Sequence, residues 1–199
     1  MGVIHLVRHG EHNMAGRKLP GRTPGVGLSE RGRGEIAIVA ECLATENAAA
    51  IYSSPLQRTR ESAEIIGARL GLPVNFHDEL IELDFGEWTG ATYDEIRADP
   101  RWQRWSTHRH LATIPGGESM RHVQRRAVDA LLGIAERHPD DTVIAVSHGD
   151  VIRSTLLFFL GMPLDHYTRI EIALASISTL RFDPTGTRLL GMTQRPSVA

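Results

Sequence analysis

The sequence predicts a three-layer α/β/α fold with a mostly parallel central sheet, and three observations predict it. Residues 3–10 read V-I-H-L-V-R-H-G, a β-branched apolar run of strand length that stops in a basic pair and a glycine. Residues 142–149 read T-V-I-A-V-S-H-G, nearly the same phrase. Around these runs, segments with helical spacing of apolar residues alternate with short strand-like runs, the pattern of a parallel sheet covered on both faces. Open α/β sheets bind ligands beyond the carboxyl ends of their strands. The simplest arrangement therefore sets the two His-Gly strands side by side, with His9 and His148 facing one site.

Taken in order, the first strand leads into a glycine- and proline-rich loop, residues 10–28. A loop of that length in a compact domain is usually a binding loop or disordered. A helix is expected from about Ser29, with Ile36, Val39, Ala40 and Leu43 as its buried stripe. Cys42 is placed in that stripe as a core residue. Residues 50–53 read as a short strand. Ser54, Pro55 and Gln57 then read as N-cap, first helical residue and capping box, with Gly71 closing the helix. Arg58 falls in its first turn, where the helix dipole favours an anion. Residues 72–76 read as a third strand. The stretch E-L-I-E-L-D-F-G-E-W-T-G, residues 79–90, is too acidic and too glycine-broken for a core strand. Residues 119–137 form a long helix with Met120, Val123, Ala127, Leu131 and Ile134 inward, and Pro139 follows it. After the second His-Gly strand comes an apolar helix, residues 151–160, closed by Gly161 and Pro163. Two final strands, 179–182 and 188–192, flank the turn Asp183-Pro184-Thr185-Gly186. The whole is read as a single domain, 1–199, with an inserted lid lobe at about 79–118.

The totals limit the function classes. Hydrophobic residues make up 41% and charged residues 23%, with a net charge of -2. That balance gives no bulk attraction to nucleic acid or to an anionic membrane. One cysteine excludes an internal disulfide and suits a reducing cytoplasm, which is the expected location. The N-terminus lacks a signal peptide's basic region. A myristoylation signal is also missing, since position 6 is Leu. No window approaches transmembrane length. Whether copies of the chain associate is not readable.

The chemistry lies in the order of five short motifs: R-H-G-E at 8–11, S-S-P-L-Q-R at 53–58, I-E-L-D-F-G-E-W-T-G at 81–90, P-G-G-E-S at 115–119 and V-S-H-G-D at 146–150. Singly each is weak. As a series, running from residue 3 to about 160, they resemble the histidine phosphatase superfamily, also called the phosphoglycerate mutase-like family. The resemblance implies a phosphoglycerate mutase-like fold and phosphoryl transfer through a phosphohistidine, with no cofactor and no metal. It implies His9 as nucleophile, Arg8 and Arg58 as clamps on the phosphoryl oxygens, His148 as the second histidine, and Glu82 as proton donor to the leaving oxygen.

These residue types suit that chemistry. Arginine meets phosphate oxygens with a forked geometry that lysine lacks. Phosphoryl transfer needs positioning and charge stabilisation above all. Neutral imidazole is a good nucleophile near pH 7, and a carboxylic acid can supply a proton and then activate water. Asp84 and Glu87 compete with Glu82 for the acid role. His5, His12, His77, His122, His138 and His166 read as structural or solvated. A metal site at His9 and His12 lacks further ligands at a known spacing. His108 and His110, set among Arg101, Trp102, Arg104, Trp105 and Arg109, fit either a basic lid over the substrate or a helix that simply docks its tryptophans.

The chain departs from the family in its first loop. His12 stands where Ser or Thr is usual, and Pro20 stands where Gln usually precedes the glycine that is Gly21 here. Asn13, Gly21 and Thr23 are the candidate substrate contacts of that loop. G-R-T-P-G-V, residues 21–26, resembles a phosphatase or phosphomutase subgroup. The function expected is a metal-independent phosphatase acting on a small phosphate monoester. The alternatives are a bisphosphoglycerate-dependent mutase, which usually carries longer segments after the acid, and a catalytically idle member that binds a phosphorylated ligand or a protein.

Overall fold

The structure is a computed structural model, and it describes residues 1–196. Six strands form one sheet: β1 (Gly2–Arg8), β2 (Ala50–Ser53), β3 (Val74–Phe76), β4 (Thr142–Ser147), β5 (Ile177–Asp183) and β6 (Gly186–Gln194). Their order is β3-β2-β4-β1-β5-β6. β1 pairs with β4, β4 with β2 and β2 with β3 in parallel, while β5 and β6 run antiparallel at one edge. The mostly parallel sheet is therefore as expected. The two His-Gly strands are hydrogen-bonded neighbours, in a register that sets Arg8 opposite Ser147.

Side chains alternate across the sheet, so each strand feeds two cores. On one face Val7, Ile51, Ile144 and Val146 pack against α1 (Glu30–Leu43) and α2 (Gln57–Leu70). On the other, Ile4, Leu6, Val143 and Ala145 pack against α5 (Met120–Arg137) and α6 (Gly149–Phe159). Each fully buried aliphatic side chain contributes about 1.5–3 kcal/mol, so the strand ends sit on a heavily packed base. The segment between β3 and α5 carries two 3-10 turns, Asp78–Leu80 and Gly86–Trp88, and two short helices, α3 (Tyr93–Ala98) and α4 (Pro100–Thr107). Leu83, Phe85, Trp88, Ile96 and Trp105 of this segment belong to the same core as Ile4 and Leu6.

Three expected details differ or sharpen. Ser29 caps α1, its hydroxyl accepting from the Gly32 N–H, and Gly71 ends α2 in the left-handed region. Ser54 does not cap α2. The helix begins two residues later than the capping signature predicts, with Leu56 at the N-cap and no side-chain cap. The Ser54 hydroxyl instead meets His148, and a buried tertiary bond has outweighed a local signature. Cys42 is exposed, not a core residue. At about 100° per residue it lies roughly 110° from the centre of the Ile36–Val39–Ala40–Leu43 stripe, so strict phase puts it outside. Among the described residues, no helix is long and apolar enough to cross a membrane.

Candidate active site

The carboxyl ends of β1 and β4, the starts of α2 and α6, and the first loop close around a cavity of about 260 Å³. Main-chain contacts fix its floor. The His9 N–H donates to Ser147 O, and the Ala175 N–H donates to His9 O. Gly10 and Gly32 let the loop lie directly on α1, since a Cβ on Gly10 would stand 2.4 Å from Gly32 O and one on Gly32 only 2.0 Å from Glu11 O. Gly149 opens room in the same way: a Cβ there would stand 3.0 Å from the Arg8 Cζ.

His9 is buried, 2% exposed. Its Nδ1 lies 2.8 Å from Gly10 O, which can only accept, so Nδ1 carries the proton and Nε2 the lone pair. Arg58 Nε donates to that Nε2 at 3.3 Å. Burial first, then the Arg58 and Arg8 guanidinium groups, hold His9 well below the ordinary histidine range. It is a neutral imidazole at neutral pH, with the lone pair of Nε2 turned to Arg58.

Arg58 is 1% exposed. Its Nη2 donates to Gly21 O at 2.9 Å. Arg8 Nη1 donates to Ile172 O. His148, fully buried, stands with its ring 5.3 Å from that of His9, and its Nε2 lies 2.8 Å from Ser54 Oγ. Three polar atoms remain around this point with no hydrogen-bond partner among the described residues: Arg8 Nε, Arg58 Nη1 and His148 Nδ1. Buried polar atoms are nearly always bonded, so three together, two of them guanidinium donors, mark a place for an acceptor with several oxygens.

Glu82 completes this end. Its Oε1 accepts from the Leu83 N–H at 2.9 Å, and its Oε2 is 3.8 Å from His148 Nδ1. That approach is not an ion pair, because burial, Arg58 and His9 keep His148 far down its titration range. Burial and then the neighbouring Asp150 carboxylate raise Glu82 to about 7, against the opposing pull of Arg58. Its backbone is gripped as well: Arg22 Nε and Arg126 Nη2 both donate to Glu82 O, at 2.8 and 3.3 Å. Glu118 holds these two arginines, accepting from Arg22 Nη2 at 2.7 Å and Arg126 Nε at 3.2 Å.

The structure thus brings Arg8, His9, Arg58, Glu82 and Gly21 to one cavity lining, with His148 directly behind them. Asn13 is exposed and Thr23 half-buried, and neither lines the cavity. Asp84 is turned to the Gly86 N–H, and Glu87 pairs with Arg101. His108 and His110 are both exposed, while α4 docks Trp102 and Trp105 against Trp88. His12 was read as structural or solvated. It is buried, lines the cavity with its ring 5.5 Å from that of His9, and falls to about 4 through burial and then Arg58 and Arg8. Tyr93, Asp150, Arg153 and Tyr167 also line the cavity, as do Trp102, Trp105 and Arg109, the part of the basic-lid reading that faces the site. For Asp150 the signal is its place beside the second His-Gly.

Among the described residues, no group of three or more His, Cys, Asp or Glu is placed to hold a metal ion. Around the paired histidines the positive charge resides on Arg8 and Arg58.

Fold and cavity together define the class: an α/β enzyme of phosphate esters with paired histidines at adjacent strand ends. Residues 4–195 match the model of the histidine phosphatase superfamily, branch 1. The chain belongs to that superfamily. It is similar to phosphoserine phosphatase 1 of Hydrogenobacter thermophilus, 34% identical over 187 residues that cover 92% of this chain and 88% of that one. Among solved structures, Bacillus stearothermophilus YhfR superposes with a TM-score of 0.91 at 30% identity, covering 97% of each chain. The phosphoserine phosphatase of Entamoeba histolytica, solved with 3-phosphoglyceric acid, superposes with a TM-score of 0.88 at 26% identity, covering 98% of each chain.

Proposed function

We propose that this protein hydrolyses small phosphate monoesters through a phosphate carried on His9. The observation that carries the reading is the set of open buried donors, Arg8 Nε and Arg58 Nη1, beside the unpartnered His148 Nδ1, arranged about a neutral imidazole whose Nε2 holds the lone pair. The phosphoryl oxygens take these donors. His9 Nε2 attacks phosphorus, the bond to the ester oxygen breaks, and Glu82 gives that oxygen its proton. Water then attacks the phosphohistidine, the phosphorus–nitrogen bond breaks, and the Glu82 carboxylate takes the water's proton. Inorganic phosphate leaves with the site restored. Glu82 at about 7 can serve as acid and base in turn, since a catalytic group works best near the operating pH.

The cavity supports a small substrate. Its volume of about 260 Å³ falls below the roughly 300–1,000 Å³ of drug-sized pockets. The similar phosphoserine phosphatases, by their names, act on such an ester. The idle-member reading is disfavoured because nucleophile, clamps and acid all stand at one cavity. The test compares hydrolysis with isomerisation. Given 3-phosphoglycerate and a bisphosphoglycerate primer, the protein should release inorganic phosphate from its best ester much faster than it isomerises the acid. Efficient isomerisation with little phosphate released would make it a mutase.

A further inference from the structure

Beyond the phosphate end, the same cavity holds two arginines for which the reaction has no use. Arg109, just after α4, is 6% exposed. Its Cζ lies 3.8 Å from the ring centre of Trp105 and 3.7 Å from that of Tyr167, so aromatic rings lie close to its guanidinium on two sides. Its Nε and Nη1 are buried with no hydrogen-bond partner among the described residues. Arg153, on α6, lies 4.1 Å from the centre of the same Tyr167 ring, and its Nε is likewise without a partner.

Stacking alone could account for a structural arginine, because ring faces attract cations. Stacking leaves the in-plane N–H groups unbonded, however, and buried donors of a charged group are costly to leave so. Placing a second guanidinium on the same ring adds like-charge repulsion. Burial lowers Arg109 to about 10, and only Asp150 opposes it. Arg153 is lowered by burial against the pull of Asp150 and Glu171, and it feels both Arg109 and Arg8. Asp150 lines the cavity, but no arginine lies within 4 Å of its carboxylate among the described residues. This end of the lining thus carries two cations and one carboxylate, with Glu171 acting on Arg153 from outside the lining.

Resting on the phosphatase reading, we propose that Arg109 and Arg153 bind a carboxylate of the substrate, whose class is then the small phosphorylated carboxylic acids. A carboxylate is planar and monoanionic. It matches the arginine forks and sets a single negative charge beside Asp150, whereas a second phosphate dianion would set two there. Asp150 is left to accept from a hydroxyl or ammonium on the carbon next to the carboxylate.

The test uses matched esters with and without the acid: 3-phosphoglycerate against glycerol 3-phosphate, and phosphoserine against phosphoethanolamine. The acid member of each pair should be favoured in kcat/KM by about ten- to a hundredfold, the scale of hydrogen bonds to charged groups. Arg109→Gln and Arg153→Gln should each bring that ratio toward one. If Arg109→Gln does not fold, Arg153→Gln, at a half-buried position, and Arg109→Lys, which keeps charge but loses the fork, decide instead. Equal rates on both members of each pair in the unaltered protein would overturn the inference and leave the phosphatase reading standing. So would a ratio untouched by the substitutions. Dissociation constants measured on His9→Ala give the same comparison without turnover. A protein that hydrolyses nothing would therefore sink the phosphatase reading while the paired affinities still judge the arginines.

Discussion

The two ends of the cavity are built by different means. At the phosphate end, main chain sets the positions: His9 and His148 follow neighbouring parallel strands, and glycines at 10, 32 and 149 bring backbone within contact of what it must hold. At the far end, stacked side chains set them: Trp105, Arg109, Tyr167 and Arg153 come from α4, the segments beside it and α6, and lie face on face. The contrast teaches a division of labour. Bond-making needs reacting atoms held to a fraction of an ångström, which strand ends provide. Choice of substrate needs only a shaped, charged wall, and side chains can be exchanged there without moving the strands.

The sharpest way to break the phosphate end is to remove the proposed nucleophile. His9→Ala should cost roughly 10⁴-fold or more in kcat, the scale reached when a nucleophile is lost. Rapid quenching without acid should trap an acid-labile, base-stable phosphoprotein in the unaltered protein and none in the variant. Label on another residue, or full activity in His9→Ala, would remove His9 from its role.

Glu82→Gln should come next. A general acid contributes about 10²–10⁴-fold, and an aryl phosphate, whose leaving phenolate is weakly basic, needs it less. In single-turnover phosphorylation, alkyl esters should therefore lose far more than aryl esters; equal losses would pass the acid role to another group. The pH profile follows from the same proton. Glu82 must be protonated to act as acid, so kcat/KM for alkyl esters should fall about tenfold per unit as pH rises through about 7. His9 sets no limit there, because its lowered value keeps it neutral down into acid solution. Bound phosphate dianion should raise Glu82 further, moving the limb in kcat to higher pH than the limb in kcat/KM. A limb that persists unchanged in Glu82→Gln would belong to some other group.

The smallest expected effect is none. Because Arg8 and Arg58 supply the charge that faces the phosphoryl group, hydrolysis of an aryl phosphate should survive excess EDTA. Complete loss, restored by magnesium or zinc, would mean that the arginines do not suffice.

The same contrast explains what the sequence could tell. The phosphate end was legible because a strand announces itself by a local apolar run and its end by a break in that run, so His9 and His148 are visible without a structure. Arg58 followed from its place in a first helical turn. The far end was hidden. Arg109 reads as one charge of a candidate basic lid with His108 and His110, and only its stacking on Trp105 and Tyr167 turns it inward while the two histidines stay exposed. Tyr167 and Arg153 are separated from it by more than forty residues of chain. Two local readings failed for opposite reasons. Ser54 was drawn from its cap by a partner 94 residues away. Cys42 was assigned by adjacency to a stripe when its phase already placed it outside.

The packing of Gly10 on Gly32 has an implication for how this chain can change over time. Where one polypeptide backbone rests on another, the spacing depends on covalent geometry, and no rotamer or neighbouring volume enters it. Any side chain at either glycine would push the strand end that carries His9 away from α1. Between these pinned ends, Asn13, Gly16, Arg17 and Lys18 lie exposed. Such a loop can accumulate substitutions, or even grow, while the imidazole beside it stays where it is. Drift is confined to the surface of the loop, and the cost of error is concentrated in two residues that have no side chain to lose.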